Sequence, residues 1–335
     1  VESPRITLLA EDLGRLSAAA GQDARYPALE RIWARGDDCG RRVASPDHLR
    51  FAFFGIDTSG MLPVAALTHL SDSNRRLKEN YYWLRTDPVT MWADMAKVFM
   101  TSYGFADLDP YERNEIENCV RGVLRGEGIQ LHAEHPERWC IALDKPLPFN
   151  FTHLDDALGM DVAEALPDHP EARYWRRMLT ELQVALHHCP VNVRRRARGL
   201  REVNSVWFWG GGFMPEASTD SLADTVYSDH PVSRGLAIIH DCKVRPLDQC
   251  RDLDPDRDGR AIFIDWTPPG ADARQALNDL DGMAAQLLAL FERRGGTLVL
   301  ADGSGACRLW SRKARRRFWR RDQDLSSSVP VKTDP

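Results

Sequence analysis

Ala261-Ile262-Phe263-Ile264-Asp265-Trp266, followed by Leu277, Leu280, Ala284, Leu287, Leu288 and Phe291 and then by Gly295-Gly296-Thr297-Leu298-Val299-Leu300, is the stretch that decides the fold. The first run is almost continuously apolar, the pattern of a strand covered on both faces. The leucines recur at three- and four-residue intervals, so they predict one face of a helix. The two glycines stop that helix, and a second apolar run follows. Strand, helix and strand at this spacing imply a right-handed parallel crossover, hence an α/β protein.

Working outward, residues 50–56, 81–85 and 138–143 read as short strands rich in aromatic and aliphatic side chains. Residues 110–125 read as a helix, with Ile116, Val120, Val123 and Leu124 at helical spacing. Residues 171–188 read as a second helix, with Asp168 and Pro170 as start signals and Trp175, Leu179, Leu182 and Leu186 as its stripe. Residues 204–209 predict a strand ending in a tight turn at Gly210-Gly211-Gly212, and residues 235–240 predict another strand. The tail from Asp322 onward is polar and expected to be loose.

The composition, 43% hydrophobic and 28% charged, is that of an ordinary globular protein. A net charge of -5 gives no electrostatic reason to expect nucleic acid or an anionic membrane as partner. The seven cysteines are scattered without a Cys-x-x-Cys pair, which argues against a disulfide framework and a structural zinc site. A reducing, cytoplasmic location is the expectation. No apolar run approaches a membrane span, and no apolar segment of signal-peptide type follows Val1-Glu2-Ser3-Pro4-Arg5.

Several local motifs have a functional and a plain reading. The glycine triplet after a strand could cradle a phosphate with its N–H groups, but it lacks the Gly-Lys-Ser/Thr of a phosphate loop and is more simply a turn. Asp254-Pro255-Asp256-Arg257-Asp258-Gly259 opens like a calcium loop, with Asp265 at the last ligand position, yet reads better as a solvated acidic turn. His132, Glu134, His135 and Cys140 are metal-ligand types in no established frame, and read as a loop and strand edge with exposed polar groups. Residues 312–321 hold seven basic side chains around Phe318 and Trp319; a solvated edge with aromatic anchors is preferred to nucleic-acid binding. Ser304 in Asp302-Gly303-Ser304-Gly305 does not meet the nucleophile-elbow pattern.

Four segments in order resemble the archaeal-type, cofactor-independent phosphoglycerate mutases of the alkaline phosphatase superfamily. These are Leu84-Arg85-Thr86-Asp87-Pro88-Val89, His135-Pro136-Glu137-Arg138-Trp139, the link from Gly159 to Leu166-Pro167, and Cys189-Pro190-Val191-Asn192 with Arg195, Gly199, Asn204, Trp207, Trp209, Gly210, Gly212 and Pro215. Cys189 stands where the pattern has His. The Trp207-Phe208-Trp209-Gly210-Gly211-Gly212 run and the later Phe318-Trp319-Arg320-Arg321 also resemble the RpfE-type regulatory proteins of bacteria.

The resemblance implies an alkaline-phosphatase-like, mostly parallel sheet flanked by helices. It would be formed by residues 1–75 and 216–321, with a smaller α/β ligand-binding region inserted at 76–215 and a loose tail at 322–335. It also implies two divalent ions, held by Asp and His, that activate a Ser. That set is missing here. Ile6-Thr7-Leu8-Leu9-Ala10-Glu11-Asp12-Leu13 lacks the Asp-Gly pair, Asp265 runs into Trp266-Thr267-Pro268, Asp302 is followed by Gly303, and no His occurs after His240. No catalytic residue, metal or cofactor is therefore assigned.

The reading preferred from sequence is a catalytically degenerate regulatory protein, a pseudoenzyme, that binds a small phosphorylated or carboxylated metabolite. Arg85, Arg138 and Arg195 would bond the anion. Asp87, Asn192 and Asn204 would orient those arginines or ligand hydroxyls, Trp209 would line the site, and Gly210 and Gly212 would allow close backbone approach. The alternative for these residues is that the asparagines cap turns and the tryptophans pack the core. Alternative functions are an active phosphoglycerate mutase-like phosphotransferase or phosphatase with an altered site, and an interaction module working through the basic C-terminal segment.

Overall fold

The computed structural model describes residues 3–320 apart from 22, 41–42, 44, 74–79, 96, 219–222, 269 and 271, together with Leu325 and Val329. The chain forms two compact units, Val1–Thr58 with Glu216–Pro335, and Ser59–Pro215. Its described strands are β1 (Arg5–Ala10), β2 (Asp37–Asp38), β3 (Tyr82–Asp94), β4 (Lys97–Tyr103), β5 (Gln130–His132) and β6 (Cys140–Leu143). They continue with β7 (Ser205–Gly212), β8 (Thr225–Ser228), β9 (Lys243–Arg245), β10 (Ala261–Trp266), β11 (Thr297–Asp302) and β12 (Cys307–Trp310).

The first unit is built on a seven-stranded sheet in the order β2-β12-β11-β1-β10-β8-β9. The run from β11 to β9 is parallel, and β12 and β2 add an antiparallel edge. The decisive stretch folds as β10, the helix Ala273–Arg294 and β11, and both strands pair with β1 between them. Alternate strand residues face opposite sides. Ile262 and Ile264 join Ile6, Leu8, Leu298 and Leu300 in a core shared with Leu277, Leu280, Leu287 and Phe291 of the long helix. Burial of each such side chain contributes about 2 kcal/mol. Phe263 and Asp265 point the other way, where Phe263 stacks on Phe53 with ring centroids 4.2 Å apart.

Two segments read as strands are helices. Residues 50–56 lie largely in the helix Pro46–Phe53, whose Pro46 sits in the first turn. Arg50, Phe51 and Phe54 are buried at helical spacing, so their aromatic richness served a helix face. Residues 235–240 lie in the helix Pro231–Ile239, again opened by a proline, with Val232, Ser233, Leu236 and Ala237 buried. A short apolar run reads alike in a buried strand and a buried helix, and the upstream proline decides it. The expected loose tail lies outside the described residues except for Leu325 and Val329, which are buried in this unit's core. The chain also brings the Cys39 and Cys307 thiols within 2.7 Å of each other, a pair the sequence spacing does not suggest.

The second unit has an antiparallel sheet in the order β4-β3-β6-β5, with β7 also pairing to β3. Its helices include Val64–Ser73, Pro110–Gly126, Ala172–His187 and Pro190–Ala197. Asp109 caps the second of these by accepting the Glu112 N–H at 2.8 Å. The glycine triplet is not the expected turn, because β7 runs through it to Gly212. A Cβ on Gly212 would lie 2.5 Å from the Pro63 Cβ, so the glycine lets two backbones approach.

Gly212→Ala is expected to destabilise the protein by about 2 kcal/mol through overpacking. Gly122→Ala, on the helix Pro110–Gly126 where nothing lies within 4 Å of the new Cβ, is expected to stabilise it by about 1 kcal/mol. Denaturant unfolding of the two variants reads both signs.

Candidate functional site

Three of the parallel strands of the first unit carry a carboxylate at or near their C-terminal ends: Glu11 just after β1, Asp265 in β10 and Asp302 at the end of β11. Register places Leu9 beside Asp265 and Ala10 beside Asp302, so the three share one end of the sheet. Period-two alternation turns Asp265 to the Phe263 face, where the helices Pro46–Phe53 and Pro231–Ile239 supply Arg50 and Ser233.

Arg50 is buried and each nitrogen of its guanidinium donates to a carboxylate. Its Nε donates to Asp265 Oδ2 at 2.9 Å and its Nη2 to Asp265 Oδ1 at 3.1 Å. Nη2 also donates to Glu11 Oε2 at 2.5 Å, and Nη1 to Asp47 Oδ1 at 3.1 Å. Ser233 Oγ donates to Asp265 Oδ2 at 2.5 Å, and His230 Nδ1 lies 4.0 Å from the same oxygen. Burial pushes the Asp265 pKa up, but Arg50, His230 and Ser233 together bring it below the usual carboxylate value. Burial outweighs Arg50 at Glu11, whose pKa is raised. Burial alone would lower the Arg50 pKa, but Asp265, Glu11 and Asp47 together hold it well above its ordinary value.

A two-ion centre does not fit this arrangement. Both oxygens of Asp265 and one of Glu11 already receive charge-assisted hydrogen bonds from Arg50, whose side chain stands among them. The third carboxylate, Asp302, accepts the Ser304 N–H at 2.8 Å and also the Ser304 hydroxyl on the same oxygen. A divalent ion here would meet a fixed positive charge and carboxylates already bonded.

The side chains expected to bind an anion separate into clusters within the second unit. Arg85 makes a bidentate bond to Asp87, with contacts of 2.7 to 3.1 Å. Asp87 also accepts the Trp139 N–H at 3.1 Å and the Trp209 indole N–H at 2.7 Å, while Arg85 lies over the Trp209 ring. Gly210 packs against Val64 and Arg85, and Gly212 against Pro63. Arg195 is tied elsewhere, to Glu112 at 2.7 Å, to the Arg201 carbonyl at 2.6 Å and to Asp107. Asn192 donates to the Leu186 and Val203 carbonyls, both at 2.8 Å, and accepts the Val203 N–H at 3.2 Å. Asn204 bridges the N–H and C=O of Met91, each at 2.7 Å. Arg138 makes a bidentate bond to Asp72, at 3.0 and 2.6 Å.

Exposure distinguishes the three arginines. The Arg138 side chain is 27% exposed, against 5% for Arg85 and 0% for Arg195, so of these Arg138 alone reaches solvent substantially. Burial lowers the pKa of nearby His135, and Arg138, Arg85 and Arg113 lower it further against Asp72.

The remaining motifs also resolve. The calcium-like segment forms a short helix, Pro255–Asp258, and Asp258 is buried on Tyr227 and Arg245 rather than solvated. Asp265 belongs to Arg50. The expected exposed edge around His132 is partly buried: His132 and Glu134 meet His69, His135 accepts the Glu137 N–H, and Cys140 is buried with its thiol toward the Ala65 carbonyl. In the basic segment, Phe318 and Trp319 are 80% and 67% exposed, while Arg317 bonds the Arg35 carbonyl and Asp37. Sequence reading missed Arg50, Ser233 and His69. The proline before each of the two misread helices was the available signal for Arg50 and Ser233.

The 2,3-bisphosphoglycerate-independent phosphoglycerate mutase of Methanosarcina acetivorans is 26% identical over 222 residues, which are 62% of this chain and 53% of that protein. The corresponding enzyme of Methanosarcina mazei is 23% identical over 204 residues, 58% of this chain and 50% of that protein. The match thus spans about half the length of these relatives. Among solved structures, a cofactor-independent phosphoglycerate mutase from Thermoplasma acidophilum superposes with a TM-score of 0.51 at 13% identity, covering 98% of this chain and 96% of that one. A Pyrococcus horikoshii protein gives a TM-score of 0.57 at 12% identity over 100% of both chains. No protein-family model matches the chain. The chain is a distant homologue of cofactor-independent phosphoglycerate mutases and shares their mixed α/β fold, with a mostly parallel sheet flanked by helices. No helix among the described residues is long and apolar enough to cross a membrane.

Arg50→Met leaves Asp265 buried without its cation and is expected to cost about 4 kcal/mol, seen as a fall in melting temperature of about 10 °C. Adding Asp265→Asn should recover a substantial part of that loss. Additive losses in the double variant would refute the coupling.

Proposed function

We propose that this protein is a relative of the phosphoglycerate mutases that no longer performs metal-dependent phosphoryl transfer and acts instead as a regulatory protein binding a small phosphorylated or carboxylated metabolite. The observation that carries this reading is Arg50: a permanently charged side chain stands bonded to Asp265 and Glu11 at the strand ends. Ion-assisted chemistry needs carboxylates available to divalent ions and a hydroxyl freed for attack. Here the nearby hydroxyls of Ser233 and Ser304 donate to Asp265 and Asp302.

For the metabolite, the favoured contact is Arg138 with His135. Arg138 offers a planar fork already set for two oxygens, and its present partner Asp72 mimics the carboxylate or phosphate that would compete for it. Arg85 and Arg195 are held by their own carboxylates and would support the unit rather than meet the ligand. The regulatory part of the reading draws on the likeness of Trp207-Phe208-Trp209-Gly210-Gly211-Gly212 to RpfE-type proteins.

Purified protein incubated with 3-phosphoglycerate and Mn²⁺ is expected to give no turnover. Mn²⁺-dependent turnover abolished by a chelator would overturn the reading. A thermal-shift screen of phosphorylated and carboxylated metabolites should find a ligand that raises the melting temperature. Arg138→Met should weaken that ligand by about 10- to 100-fold, the effect of losing a charge-assisted pair.

A further inference from the structure

A second cluster, wholly within the Ser59–Pro215 unit, is independent of the reading above. His69 on the helix Val64–Ser73, His132 at the end of β5, and Glu134 two residues later converge on one point. His69 Nδ1 lies 3.5 Å from Glu134 Oε2, and His132 Nδ1 lies 3.7 Å from Glu134 Oε1. One ligand atom from each of the three residues lies within 4.8 Å of the others.

Those separations are informative. A direct N–H···O bond closes at about 2.7–3.2 Å, so both imidazoles stand further from the carboxylate than such a bond requires. Ligand atoms each about 2.1 Å from a tetrahedral zinc ion are about 3.4 Å apart. The two imidazole nitrogens face different oxygens of the carboxylate, at 3.5 and 3.7 Å, and one ligand atom from each residue lies within 4.8 Å of the others, so the three donors surround one small volume and draw in by up to about 1.4 Å to ligate a single ion.

The rings are held in place before any ion arrives. His69 is only 5% exposed and stacks on Trp83, with centroids 4.1 Å apart and planes at 22°. His132 meets the Trp83 ring edge-on at 5.0 Å and the His69 ring at 4.9 Å. Packing of this kind fixes rotamers, which a metal site requires of its ligands. The Cys140 thiol, opposite His132 in the β5–β6 register, is directed at the Ala65 carbonyl and leaves an N,N,O donor set.

We propose that His69, His132 and Glu134 bind one Zn²⁺ ion. Two imidazoles and a carboxylate suit zinc, and three protein ligands leave its fourth position open. Glu134 is 38% exposed and His132 21%, so solvent reaches two of the three ligands. Bound there, the ion joins the helix Val64–Ser73 to the segment following β5.

The test uses the full chain, stripped by chelator and titrated with ZnCl₂ by calorimetry. One equivalent is expected to bind, and Co²⁺ in its place should show the visible absorption of a low-coordinate site. Glu134→Gln changes an exposed side chain and should weaken zinc at least tenfold, as should His132→Gln. His188→Gln, on a histidine outside the cluster, should leave it unchanged. Absence of stoichiometric binding, or equal binding by wild type and Glu134→Gln with circular dichroism showing both folded, would overturn the proposal.

Discussion

A carboxylate buried at the end of a parallel strand must be neutralised, and the first unit answers that demand at Asp265 with the guanidinium of Arg50. Desolvating either charge alone is costly, so the two must be buried together. The planar fork of Arg50 fits both oxygens of Asp265, and its remaining donors reach Glu11 and Asp47. That geometry is met only when the helix Pro46–Phe53 docks with Arg50 over the ends of β1 and β10. Ser233 ties the helix Pro231–Ile239 to the same oxygen. Such a cluster is weak evidence for added stability relative to an apolar replacement, but it penalises every other docking of these helices. A metal ion exchanges with solvent, whereas a covalently attached guanidinium neither leaves nor loses its proton.

The second unit uses arginine in the same manner. Arg85 is clamped on Asp87, which also receives the Trp209 indole, and Arg195 is held between Glu112, Asp107 and a backbone carbonyl. Arg195 on its helix is matched by acceptors from a second helix and from loops. Arg85 is matched by Asp87 of its own strand, and Asp87 in turn ties that strand to the Trp139 backbone and to Trp209 of β7, so both arginines serve as internal struts. Recognition of an outside anion by such a group requires displacing a buried carboxylate, which is unfavourable. Arg138 with Asp72 differs because solvent reaches the guanidinium itself, so a competing anion can approach it from outside.

The parallel core was legible because its signal is periodic and local: β10, the helix Ala273–Arg294 and β11 stand where the apolar pattern places them. The helices carrying Arg50 and Ser233 were not, since short aromatic or aliphatic runs suit either element and only Pro46 and Pro231 separate the cases. The site was less legible still. Arg50 meets Asp265 across 215 positions of sequence, and His69 meets His132 only because a helix and a strand pack in one unit. Order and spacing of motifs located Arg85, Asp87 and Asn192. They could not reveal that Asp87 is Arg85's own partner or that Asn192 serves the Val203 backbone.

The Arg50 cluster and the zinc site proposed at His69 differ in the shape of their donor and acceptor sets. Around Arg50 the acceptors are oxygens of three carboxylates spread in an arc, at distances a rigid fork spans with separate hydrogen bonds. Around Glu134 the partners are two ring nitrogens, one held by stacking on Trp83, and they converge on a single small volume. A fork of five donors cannot enter that volume, but a point cation with bonds near 2 Å can. The chemistry of each site therefore follows from the shape of its acceptor set. The carboxylates at the ends of the parallel strands are satisfied by a side-chain cation, whereas the two imidazoles and the carboxylate of the Ser59–Pro215 unit surround a small volume that suits the ion proposed there.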